Sequence, residues 1–117
     1  GLDKVQFLFG VLDDVKWERT QWQIVYDLKQ KKIFYKTRLA PKMRSTAIDR
    51  FNYECSTNVE VAELNPSDDS PWPVFKPYTN EVNQNLLKQS LKDIGKSLPP
   101  HALEMISGYP QQLHCEQ

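Results

Sequence analysis

The chain has 117 residues, with 15 Lys plus Arg against 15 Asp plus Glu, and 39% of its residues are apolar. That length fits one domain or a piece of a larger one. Zero net charge argues against bulk attraction to nucleic acid or anionic lipid, and no apolar run approaches the roughly 18 residues needed to cross a bilayer.

The first segment has the period of a helix. Leu2, Val5, Leu8, Phe9, Leu12 and Val15 recur at steps of three and four, flanked by Phe7 and Val11. Asp3 suits the start of that helix, whereas Asp13 and Asp14 oppose the dipole at its end. Gly10 in its middle predicts close packing against a neighbour. The period then changes to two. Across Thr20–Leu28 one face presents Trp22, Ile24, Tyr26 and Leu28, and the other Gln21, Gln23, Val25 and Asp27. The apolar set predicts a buried Trp22, with Gln21 and Gln23 largely exposed or facing a second layer. Lys29–Lys32 reads as a four-residue hairpin connection, and Ile33–Thr37 as the returning strand. Arg44–Phe51 is a third, shorter strand candidate.

Pro66, Pro71, Pro73 and Pro77 fall within twelve residues. Proline fixes φ and lacks the amide donor, so this stretch should be extended loop. A second helix is expected over 80–97, with Val82, Leu86, Leu87, Leu91, Ile94 and Leu98 as its stripe and Thr79 or Asn80 as its cap. Pro99 and Pro100 end it, and His101–Ser107 forms a short helix closed by Gly108. The expected class is α+β: a helix and an antiparallel meander in 1–54, a Pro-rich loop in 55–79 and a helical extension in 80–117.

Few residues suggest chemistry. The four glycines and the absence of GxSxG, HExxH and CxxC patterns remove the common nucleophile, zinc and phosphate-loop signatures. Cys55 and Cys115 are 60 positions apart, and their spacing leaves open whether they pair. His114 beside Cys115 reads as tail, not as a catalytic pair, and with His101 and Cys55 it matches no zinc spacing. The neighbouring carboxylates Asp13-Asp14 and Asp68-Asp69 diverge on any regular backbone and read as solvated charge.

Charge is uneven: residues 1–54 sum to +4 and 55–117 to −4. Lys29, Lys31, Lys32, Lys36, Arg38, Lys42, Arg44 and Arg50 against Asp49 make a local +7, interleaved with Phe34, Tyr35 and Phe51. Such a ribbon can bind phosphate and stack bases. Lysine-rich edges that discourage strand pairing give the same pattern, and the neutral chain favours that reading.

The run Thr20-Gln21-Trp22-Gln23-Ile24-Val25-Tyr26-Asp27-Leu28, followed by Ile33-Phe34-Tyr35-Lys36-Thr37, resembles the C-terminal hairpin of the linear amide C–N hydrolases. This is the choloylglycine hydrolase and penicillin V acylase family. The helix over Val5–Val15 and the segment Arg44–Phe51 resemble elements flanking that hairpin, so the likeness covers about the first 54 residues. It implies an αββα sandwich and an N-terminal cysteine that attacks an amide carbonyl, with its own α-amine as base. No metal or cofactor is expected.

Gly1 opens this chain, and neither Cys55 nor Cys115 matches the nucleophile. The family's aspartate, asparagine and arginine partners lie upstream of the matched region. No catalytic, cofactor-binding or metal-binding residue is therefore assigned. The resemblance implies the C-terminal portion of an amide hydrolase, inactive alone, whose partners are the rest of the enzyme and, for the parent, a small-molecule amide. A three-stranded sheet with a helix on one side leaves a face and an edge uncovered, so a homo-oligomer is expected, with Trp22, Tyr26, Phe34 and Tyr35 as its surface. The alternative is a small protein-interaction domain using its sheet or basic ribbon. Neither nucleic-acid binding nor a membrane span is expected.

Overall fold

A computed structural model describes residues 1–114. Its elements run α1 (Leu2–Val15), β1 (Trp22–Asp27), β2 (Lys32–Thr37), β3 (Arg44–Ala47), β4 (Glu60–Ala62), β5 (Phe75–Pro77), α2 (Asn80–Asp93) and α3 (Pro100–Gly108). Helices combined with small antiparallel sheets make this an α+β protein. Two compact units divide the chain. One holds Gly1–Tyr53 with Ala62–Phe75, and the other holds Glu54–Val61 with the chain from Lys76 onward.

In the first unit β1, β2 and β3 form an antiparallel sheet in that order. The hairpin joins Asp27 to Lys32 across four residues, and Lys31 takes a positive φ of 52° in the turn. Asp27 supports that turn by accepting a hydrogen bond from the Gln30 amide at 3.0 Å. The third strand stops at Ala47, earlier than Phe51, because Ile48–Arg50 tightens into a 3₁₀ turn.

Helix α1 covers one sheet face, and the core is Val5 and Phe9 of the helix against Val25 and Phe34 of the strands, with Leu12 and Met43 beside them. This reverses the expected facing of β1. Val25 and Gln23 are inside at 6% and 8% exposure, and Trp22 is 62% exposed. Cross-strand pairing explains the result. Val25 lies opposite Phe34, so both share the face under α1, whereas Trp22, Ile24 and Tyr26 lie opposite Thr37, Tyr35 and Ile33. The helix stripe is narrower than its sequence period: Leu2, Phe7, Leu8 and Val15 remain exposed. Gly10 is exposed, and a Cβ there would meet nothing within 4 Å, so the packing expected at this glycine does not occur.

The far half of the outer face is covered by residues 62–75. Thr37 donates its hydroxyl to Asn65, Arg44 donates to the Asp68 carbonyl at 2.7 Å, and the Ser45 amide donates to the Pro71 carbonyl at 3.1 Å. Tyr35, expected at the surface, is thereby buried, and burial raises its pKa against the opposing pull of Arg44. Phe34 is buried too, under α1. The Pro-rich stretch also contributes two short strands, β4 and β5, which pair with each other.

In the second unit Thr79 caps α2, its hydroxyl accepting from the Val82 amide at 3.2 Å. The helix ends at Asp93, short of Ser97. Gly95 takes φ 69°, its amide reaches the Lys92 carbonyl at 2.9 Å, and the Lys96 amide reaches the Leu91 carbonyl at 2.8 Å. Those two bonds make a Schellman turn, which reverses the chain. Pro100 then opens α3 at its first position, where a missing amide costs nothing. Asn83 of α2 donates to the Ser107 carbonyl of α3 at 3.0 Å.

Candidate functional site

Three surfaces compete for a functional role in the first unit. The first is a groove of about 310 Å³ beside the C-terminal end of α1, lined by Asp13, Trp17, Gln21, Trp22, Lys36 and Arg38 among others. Asp13 organises it. A carboxylate at the end of a helix faces the negative end of the dipole and needs compensation. Lys36 supplies it at 3.0 and 3.2 Å, Gln23 donates at 3.0 Å, and Lys16 adds a longer contact at 3.4 Å. The Lys36 bond, then the Gln23 bond, hold the Asp13 pKa at about 2. Lys36 also lies over the Phe9 ring at 5.1 Å. An ionised, fully engaged carboxylate is a poor general base. The cluster ties helix to sheet; it does not assemble acid–base chemistry. Asp14 is exposed.

The basic ribbon is the second surface, and the fold takes it apart. Lys36 is committed to Asp13, Lys42 pairs with Asp69 at 3.6 Å, and Arg44 is 2% exposed. Arg50 stacks on Phe51 and Phe75 at 4.9 and 4.4 Å. Phe34 and Tyr35 are buried, and Phe51 packs edge-on against Phe75 at 4.9 Å. The rings a base would stack on are already covered.

The third surface is β1 itself. The Arg38 amide donates to the Gln21 carbonyl at 2.8 Å, which extends the β1–β2 ladder by one hydrogen-bonded pair. Antiparallel ladders alternate, so Gln23, Val25 and Asp27 bond to β2, whereas the amides and carbonyls of Trp22, Ile24 and Tyr26 turn outward. No other backbone group among the described residues meets them. The same three side chains are exposed on the face away from α1. β1 thus presents an open edge and an apolar face together, without the lysine, proline or bulge that protects most edges. The opposite edge, β3, is covered at Ser45 by Pro71.

The remaining sequence candidates stay apart. No three of His, Cys, Asp and Glu come together among the described residues. Cys55 is disulfide-bonded, so its thiol is not a free nucleophile; Cys115 lies outside the described residues. Among the described residues no helix is long and apolar enough to cross a membrane. The Asp13–Gln23–Lys36 cluster was not visible as a site from sequence, although the misplaced helix-end carboxylate is the signal that a cation had to meet it. Comparison with protein-family models, with curated proteins and with solved structures gave no match.

Proposed function

We propose that this chain is the C-terminal structural portion of a hydrolase acting on linear, non-peptide amide C–N bonds, with an N-terminal cysteine nucleophile supplied from outside it. One observation carries the reading: β1 has an open edge and an exposed face bearing Trp22, Ile24 and Tyr26, while its other face is closed by α1. A sheet with a helix on one side and apolar surface left bare over β1 on the other lacks part of the cover that a layered sandwich supplies. The strand that bears this surface is also the one whose sequence resembles the amide hydrolases. The chain's own residues would then provide a helix–sheet layer and no reacting group.

The test assays the purified chain and the product of the longest reading frame containing it against a panel of N-acyl amides. The chain alone should give no turnover. The longer product should hydrolyse at least one amide and lose that activity when its N-terminal thiol is alkylated. Turnover by the chain alone that disappears in Cys55→Ala would overturn the proposal.

The same bare strand favours one second reading, an interaction domain that captures an extended segment of another protein on β1. Light scattering at low and high salt separates the two. A chain that lacks the rest of its sandwich should self-associate through β1, more strongly as salt screens Lys29, Lys31 and Lys32 in the adjoining turn. A monodisperse monomer in both conditions would put the interaction domain first.

A further inference from the structure

The second unit holds a cavity of about 580 Å³ where the chain reverses between α2 and α3. Its apolar lining includes Leu91, Leu98 and Leu103, each half-buried, and its polar lining includes Lys88, Lys92 and Lys96. The Schellman turn at Gly95 builds this arrangement. By bonding the Lys96 amide to the Leu91 carbonyl it folds Lys96–Leu98 back over the last turn of α2. Leucines then line the cavity that the lysines border.

The charge here runs against its surroundings. Residues 55–117 sum to −4 and contain only four basic side chains, yet three of them line this cavity. No carboxylate lines it. Asp93, the nearest acid in sequence, accepts from Gln89 at 2.7 Å, and none of the three lysines has an ion pair among the described residues. Like charges four residues apart on a helix repel, so Lys88 and Lys92 are unfavourable together until an anion lies near them.

We propose that this cavity binds a small anionic amphiphile: a single carboxylate or sulfonate head held by the three lysines, with its apolar body on Leu91, Leu98 and Leu103. The volume falls within the roughly 300–1,000 Å³ of sites that take small organic ligands. An acyl or similar apolar body fits the leucine lining, and a neutral or cationic head does not satisfy the rim. The proposal is independent of the amide-hydrolase reading, because it uses no residue of the first unit.

The test is an NMR titration of the whole chain with monomeric dodecanoate, compared with dodecyltrimethylammonium of equal chain length. Dodecanoate should give saturable shifts at Leu91, Leu98 and Leu103, with the cationic amphiphile about tenfold weaker or more. The variant Lys88→Gln/Lys92→Gln/Lys96→Gln should keep its helix content by circular dichroism and lose about tenfold in dodecanoate affinity. Equal affinity for the two amphiphiles would overturn the proposal, as would shifts centred on Trp22–Tyr26. Binding to anionic vesicles without binding to monomeric dodecanoate would overturn it in favour of a membrane surface.

Discussion

The two units stabilise themselves by different means. In the first, four side chains from a helix and two strands close a small apolar core, and a carboxylate–lysine–glutamine cluster ties the same elements at their edge. In the second, no residue of α2 is fully buried, and order comes from a capping threonine, a glycine turn, a side-chain hydrogen bond and the disulfide at Cys55. The contrast teaches that one polar chain can hold two kinds of structure. One depends on excluded water, the other on local backbone geometry and a covalent link.

The comparison breaks most sharply at Phe34. Phe34→Ala should cost about 3–5 kcal/mol in urea unfolding, the range for truncating a large core side chain. Trp22→Ala should cost under about 1 kcal/mol, since its ring is mostly in water. Equal losses would mean that α1 does not cover the Val25–Phe34 face. Next in size, Cys55→Ser should remove about 2–4 kcal/mol, the usual worth of a disulfide. Hydrogen exchange should show faster opening in α2 and α3, with the amides of β2 little changed.

Two smaller changes sharpen the account of the second unit. Gly95→Ala places a Cβ at φ 69°, where no neighbour obstructs it but the backbone conformation itself costs about 1 kcal/mol. Thr79→Ala removes the α2 cap and should cost about as much, roughly 1 kcal/mol. Thermal unfolding of the two variants and of their double mutant should give additive losses, because the sites are at opposite ends of the helix.

The smallest effect is electrostatic. Asp13 has its pKa lowered from 3.8 to about 2 in the folded chain. Its contribution is therefore complete above the ordinary carboxylate value and is lost as pH falls through about 2. Carbon-detected NMR of the Asp13 carboxyl should show this titration. Lys36→Met should move its midpoint back toward 3.8, because the largest cause of the shift is gone. An unchanged midpoint would mean that Lys36 and Asp13 do not meet.

Local grammar was legible wherever one residue type has one physical use. The 3.6 and 2.0 periods placed α1, β1 and β2, Thr79 was one of two cap candidates for α2, and Pro99 and Pro100 marked the break before the short helix, which starts at Pro100 and not at His101. Gly95 carried a helix-stop signal that the apolar stripe through Leu98 obscured, since a leucine folded back by the turn keeps nearly the spacing of one that continues the helix. The groove beside α1 was not legible, because Asp13, Gln23 and Lys36 are separated in sequence and meet only when helix and hairpin pack.

Alternation in Thr20–Leu28 by itself determined that this segment is a strand, because period two survives on either face. It did not determine which face is inside. Hydrophobicity favoured Trp22, Ile24 and Tyr26, but burial belongs to the side on which α1 lands, and the hairpin register places Val25 with Phe34 on that side. Gln23 is tolerated there because its amide finds Asp13 at 3.0 Å. A buried polar group with a partner costs little, and a large apolar side chain left in water forfeits only its own burial. That balance is struck across elements distant in sequence, so only the tertiary structure decided which surface of β1 was left open.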